Sequence, residues 1–124
     1  MAQVRKSRHP TEADLAESVL LRSICRVQVG AVIADKHGSV IAYGWNHVGD
    51  GYGCHAEEHA IQRASWADLR GTRIYVAGWR PRSNSYVPAR PCDHCMQWIR
   101  SHGIATVFYR DKNGWTHFKV GDAD

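Results

Sequence analysis

Near the N-terminus, Ala16, Val19, Leu20, Ser23 and Ile24 recur at helical spacing, so the pattern predicts a helix over roughly 12–25. Pro10 marks the break before it, and Thr11 with Asp14 has the form of a capping box. The period then changes. Residues 29–34 are a short run rich in β-branched side chains, Asp35-Lys36-His37-Gly38 is turn chemistry, and 40–45 is a second apolar run. Together they read as a hairpin. Glycines at 49, 51 and 53 make 46–54 a loop. A second helix starts at His55 or Ala56 and runs to about 67, with Ala60, Ile61 and Ala64 facing inward. A third strand covers 73–77, and a stretch rich in Pro, Arg, Ser and Asn makes 78–90 a long loop. Pro91 suits the first turn of a third helix, 92–102, which Gly103 ends. Strands at 104–109 and 115–120 flank the turn Asp111-Lys112-Asn113-Gly114.

The order is α-β-β-α-β-α-β-β, with no internal repeat and no linker. It predicts a single three-layer α/β domain over 1–124 with one five-stranded mixed sheet, its first ten residues flexible. Parallel neighbours need a crossover of about a dozen residues, and only about four separate Arg110 from Trp115. If the last two strands are neighbours, they are antiparallel.

Composition narrows the class. The 124 residues, 44% of them apolar, are enough for one ordinary core. The basic, polar start carries no apolar stretch, which argues against a secretory signal, and no run is long enough to cross a bilayer. The expectation is a soluble cytoplasmic protein with reduced thiols and no membrane partner. A net charge of +4 suits an anionic partner, a nucleotide phosphate or a nucleic acid, but does not require one.

Two of the four cysteines stand as Cys92-x-x-Cys95, a spacing better suited to a metal than to a disulfide. At the start of a helix both sulfurs project from one face, and the positive helix end favours thiolate. His55 opens the other helix. Two helix N-termini can therefore meet at one Zn2+ with three ligands, His55, Cys92 and Cys95, leaving a position for water. Glu57 is too close to His55 to be a separate site and is wrongly spaced for the His-Glu-x-x-His of zinc proteases. It can face the water and move protons. The alternative is a closed structural site with Cys54 as fourth ligand, and His59, one turn on, is a further ligand candidate. His94 reads as a bystander, and Cys25 as a small buried apolar residue.

These residues resemble the cytidine/deoxycytidylate deaminase superfamily. The signature of zinc deaminases is His-x-Glu followed by Pro-Cys-x-x-Cys. Here it reads His55-Ala56-Glu57 and Pro91-Cys92-Asp93-His94-Cys95. Arg22-Ser23-Ile24-Cys25, Val29-Gly30-Ala31-Val32-Ile33-Ala34 and Gly44-Trp45-Asn46 are most similar to the deoxycytidylate branch. The likeness implies that Asn46 contacts the sugar and that the backbone amides of Ala56 and Cys92 lie near the reacting carbon. It also implies assembly into dimers or tetramers. Two features differ from that branch: asparagine is usual where His59 stands, and 78–90 is an insertion. The short turn before the last strand is similar instead to free-nucleoside, blasticidin-type and bacterial toxin deaminases.

The implied reaction is hydrolytic deamination at C4 of cytosine, with water activated at zinc and Glu57 as proton shuttle. The first substrate class is a free cytosine nucleoside or nucleotide. The second is cytosine in single-stranded DNA, for which Arg80, Arg82, Arg90, Trp79 and Tyr86 offer basic and aromatic contacts, the three arginines being candidates for a strand or for a substrate phosphate. The third reading is a zinc-binding assembly module without catalysis. Adenine and guanine rings remain open.

Overall fold

The computed structural model describes residues 11–48 and 53–123. The expected flexibility of 1–10 and the glycines at 49 and 51 lie outside the described residues. Helix α1 (Glu12–Val19) begins at the expected box: Thr11 Oγ1 accepts from the Asp14 amide at 3.1 Å, and Asp14 Oδ2 accepts from the Thr11 amide at 3.4 Å. Strands β1 (Gln28–Ala34) and β2 (Val40–Trp45) form the expected antiparallel hairpin. Asp35 closes its turn by accepting from the amides of His37 and Ser39, each at 2.9 Å. Short strands β3 (His47–Val48) and β4 (Gly53–Cys54) pair with each other and lead into α2 (Ala56–Arg63). Strand β5 (Arg73–Arg80) follows, then β6 (Ser85–Val87), α3 (Asp93–Ser101), β7 (Thr106–Asp111) and β8 (Gly114–Lys119).

The sheet runs β2-β1-β5-β7-β8, the five strands expected, with β6 added as a sixth beside β5. It is mixed: β5 and β7 are parallel, joined through α3, while β7 and β8 are antiparallel as their short turn requires. Alternate residues serve two cores. Val32, Ala34, Tyr75 and Ala77 pack with α1 on one face. Ala31, Ile33, Ile74 and Val76 pack with Ala60 and Ile61 of α2 and Ile99 of α3 on the other. Close approach needs glycine on each side. A Cβ on Gly30 would stand 2.5 Å from the Ala16 carbonyl oxygen, and one on Gly44 would stand 2.4 Å from the Ala60 nitrogen.

That second contact lays α2 over the edge strand β2. His59 Nδ1 accepts from the Trp45 amide at 3.1 Å, and Arg63 Nη1 donates to the Tyr43 carbonyl at 3.0 Å. Two polar groups that the edge would otherwise offer to another chain are thereby occupied. Burial holds His59 below the ordinary histidine range, with His47 and Arg63 acting in the same direction, which keeps the imidazole a neutral acceptor.

Five elements differ from expectation. The expected 46–54 loop carries the short paired strands β3 and β4 at its two ends. The first helix ends early, passing into a 3-10 turn at Leu20–Arg22. Ser23 is extended and its hydroxyl accepts from the Cys25 amide at 3.1 Å, a local bond that competes with helix continuation. Ile24 is consequently 97% exposed rather than inward. The second helix stops at Arg63, and turns carry the chain onward past Ala64. The expected 78–90 loop is partly strand: β5 continues to Arg80, a 3-10 turn at Pro81–Ser83 and left-handed Asn84 reverse the chain, and β6 (Ser85–Val87) pairs back. The third helix closes as a Schellman motif, with Gly103 N–H donating to the Arg100 carbonyl and Ile104 N–H to the Ile99 carbonyl. Ile104 therefore belongs to the helix cap, and the strand starts two residues later.

Candidate active site

Helices α2 and α3 start side by side on one face of the sheet. His55 is the residue before the first turn of α2 and Cys92 the residue before the first turn of α3, both with extended backbone. His55 Nδ1 lies 3.2 Å from Cys95 Sγ and 3.6 Å from Cys92 Sγ, and the three donor atoms lie within 4.8 Å of one another. A tetrahedral zinc with ordinary Zn–N and Zn–S bonds sets donor separations of roughly 3.5–3.8 Å. The donor set and its spacing fit zinc, with three protein ligands and one open position.

The alternative ligands are turned elsewhere. The Cys54 thiol donates to the His55 carbonyl at 3.5 Å, and the His59 ring is occupied at the sheet edge. His94 Nε2 lies 3.5 Å from Glu58 Oε1, a bridge between α3 and α2 at the rim. Among the described residues, His55, Cys92 and Cys95 form the only such donor group.

Glu57 is 6% exposed, in the first turn of α2. Burial pushes its carboxyl up, offset in part by its own backbone amide and by His55. Burial likewise pushes the Cys95 thiol well up, helped by the neighbouring Glu57 carboxylate. In the metal-free chain this outweighs the helix-end effect that favoured thiolate, so Cys95 needs a cation beside it to ionise.

A pocket of about 250 Å³ opens against this cluster, lined by Val29, Asn46, His55, Ala56, Glu57, Pro88, Ala89, Arg90 and Cys92. Asn46 is held rigidly: Oδ1 accepts from the Val29 amide and Nδ2 donates to the Val27 carbonyl, each at 2.8 Å. One amide hydrogen and one lone pair remain for a ligand. The Ala56 amide sits in the first turn of its helix, where geometry supplies no intrahelical acceptor. Arg90 lines the pocket while its guanidinium packs 4.1 Å from the Phe118 ring centre.

Arg80 and Arg82 stand outside this pocket, exposed on the β5–β6 hairpin. Trp79 and Tyr86 pack edge to face at 4.8 Å, half-buried against the core on the α1 side, the sheet face away from the pocket. Cys25 is half-buried, not a core residue, and its thiol donates to the Asn46 carbonyl at 3.7 Å. Val29, Pro88 and Ala89 were not anticipated. Val29 sits in an apolar run indistinguishable from core, and only the pairing of strands shows that it reaches the site.

The family model for the cytidine and deoxycytidylate deaminase zinc-binding region matches residues 6–111. The chain belongs to this family. Among proteins similar to this deaminase-family chain is the deoxycytidylate deaminase of Mus musculus, 27% identical over 103 residues, covering 66% of the chain and 52% of the mouse protein. The chain thus spans about half the length of that relative. Among solved structures, the apo dCMP deaminase of cyanophage S-TIM5 matches with 25% identity and a TM-score of 0.66, over 81% of this chain and 79% of that one. The cytidine deaminase of Burkholderia pseudomallei has the same fold, with 22% identity and a TM-score of 0.69, covering 90% and 91% of the two chains.

Proposed function

We propose that this chain is a zinc-dependent hydrolytic deaminase of cytosine in a free nucleoside or nucleotide. The observation that carries the reading is a buried carboxyl, Glu57, at a pocket lined by His55 and Cys92, two members of a three-donor cluster completed by Cys95. His55 Nδ1, Cys92 Sγ and Cys95 Sγ would hold the zinc, which when bound lowers the pKa of a water toward neutrality. Glu57 accepts a proton from that water and delivers it to ring N3. It then carries the second proton to the departing amine. The balance is one water in, its oxygen becoming the C4 carbonyl, and one ammonia out. Asn46 orients the sugar with its remaining donor and acceptor, and the Ala56 and Cys92 amides lie near the reacting carbon. Residues 1–124 act as one domain, and a homo-oligomer, dimer or tetramer, is the expected assembly.

Support for a small substrate comes from the size of the pocket and from the placement of Trp79 and Tyr86 on the sheet face away from it, where neither can stack on a base held at Glu57. An ammonia-release panel tests the reading: cytidine, deoxycytidine, their mono- and triphosphates, a cytosine-bearing single strand, and adenine and guanine nucleotides as controls. Release from at least one free cytosine compound is expected. Release from the strand alone favours the DNA reading, and none from any compound with zinc bound favours the assembly module.

A further inference from the structure

Glu58 follows Glu57 in α2 but does not line the pocket. It is the third residue of the helix, and its side chain is only 16% exposed. Its Oε1 lies 3.5 Å from the backbone nitrogen of His55, the carboxylate half of a capping box that fixes how the chain enters α2. The same oxygen lies 3.5 Å from Nε2 of His94, in the first turn of α3. One carboxylate oxygen therefore touches the main chain of one metal-type donor and the side chain that stands in sequence between the other two, Cys92 and Cys95. The His94 ring also meets the His55 ring edge to face, with their centres 6.2 Å apart.

The donor group is assembled from two helices, and each helix fixes only its own part. How α2 begins places His55, and how α3 begins places Cys92 and Cys95. A slide of α3 along α2 by about 1 Å leaves both helices intact yet spoils a tetrahedral zinc site, where ligand distances hold to within about 0.2 Å. The core beneath the helices, with Ile61 from α2 and Ile99 from α3, resists their separation. It resists sliding less, because apolar contact is non-directional. A polar contact between the two N-termini supplies the missing direction. A helix cap alone accounts for the contact with His55 but not for the one with His94, which crosses to another helix.

We propose that Glu58 is a positioning residue of the metal centre: its carboxylate ties the His55 main chain to His94 and so holds the N-termini of α2 and α3 at the separation that three ligands on one zinc require. The inference rests on the three-ligand metal reading of this site and not on the identity of the substrate. Adjacent acids then have separate tasks, Glu57 toward the pocket and Glu58 toward the second helix.

The test is competition for zinc against a chromophoric chelator, which reads affinity without turnover. It compares wild type with Glu58→Ala, His94→Ala, and the two combined. Loss of a group that orients a ligand costs about 10- to 100-fold in metal affinity, and Glu58→Ala should weaken zinc by about that factor. His94→Ala keeps the helix cap and removes only the link to α3, at a side chain 58% exposed, so its urea midpoint should match wild type. Its zinc affinity should still fall, by about threefold or more. The combined variant should bind zinc no more weakly than Glu58→Ala, because both changes break one link. Cobalt in place of zinc adds a signature of ligand geometry that a general loss of stability does not move, and its visible bands should shift in both single variants. Zinc affinity within about twofold of wild type in both single variants, losses that add in the combined one, or unchanged cobalt bands overturn the proposal. Zinc affinity that is the same in wild type and in Cys92→Ser/Cys95→Ser removes the metal reading and this proposal with it. Zinc binding weakened as described, in a protein that releases no ammonia from any cytosine compound, upholds the positioning role while the deaminase reading fails.

Discussion

Glu17, on α1, accepts from the Tyr86 hydroxyl with one carboxylate oxygen and from the Trp115 indole N–H with the other, each at 2.8 Å. Glu57, on α2, lies across the sheet with a buried carboxyl that its surroundings push toward the protonated form. Both glutamates sit on helices packed against the same strands. The first has a neutral donor for each oxygen, so it ties α1 to β6 and β8 and has nothing left to exchange. The second adjoins a pocket and a donor cluster, with its proton affinity raised by burial, the combination expected of a group that transfers protons. Burial of a carboxyl therefore signals function where the group also adjoins a cavity and a metal-type donor cluster.

The largest effect that can break this contrast comes from replacing each acid with its amide. Glu57→Gln keeps the shape and removes the proton shuttle, so turnover should fall by about 10³-fold or more while zinc content is unchanged. Ammonia release together with metal analysis checks both halves. A variant that turned over within tenfold of wild type would show that another group moves the protons. Loss of zinc along with activity would make Glu57 a structural acid like Glu17.

The contrast also marks what could be read from residues alone. His55, Glu57, Cys92 and Cys95 were legible because metal chemistry restricts residue type and spacing, and because each pair opens a helix marked by local signals. The main sheet was legible for the same reason, since hairpin turns at Asp35 and Asp111 are built from neighbours in sequence. Glu17 carried no such mark. Its partners are 69 and 98 residues away, and a glutamate in an amphipathic helix looks solvated until the sheet brings Tyr86 and Trp115 to it. The 78–90 segment misled because its proline, serine and asparagine residues signal a turn without saying how short it is. The 3-10 turn takes only three residues, Pro81–Ser83, and the strands on either side of it, up to Arg80 and from Ser85 to Val87, extend the sheet.

A smaller effect sharpens the comparison from the other face. Glu17→Ala leaves the Trp115 N–H and the Tyr86 hydroxyl without their acceptor and should cost about 1–3 kcal/mol of stability. Glu17→Gln should recover much of that, because its amide oxygen can serve Trp115 while its NH2 donates to the reversible Tyr86 hydroxyl. Neither change touches the pocket, so kcat/KM should stay within about threefold of wild type. Urea titrations beside initial rates separate the outcomes. If the amide rescues neither stability nor fold, the charge of Glu17 matters more than its two bonds, and the neutral-tie account is wrong.

The smallest effect concerns the pH dependence of the metal-free protein. Burial raises the Glu57 carboxyl above its ordinary value of 4.5, so the folded chain retains a proton that the unfolded chain releases. The cost is absent below about pH 4.5, grows as pH rises toward the folded value, and is fully present above it. Glu57→Gln has no such proton to lose. With zinc chelated in both proteins, the variant should therefore gain on wild type as pH increases, and the gain should vanish in acid. Restoring zinc should shrink the difference, because a cation beside Glu57 favours its ionised form. A difference that stayed flat from pH 4 to 8, or grew toward acid, would mean that Glu57 is stabilised as a carboxylate in the fold, as a structural tie is, and the distinction between the two glutamates would collapse.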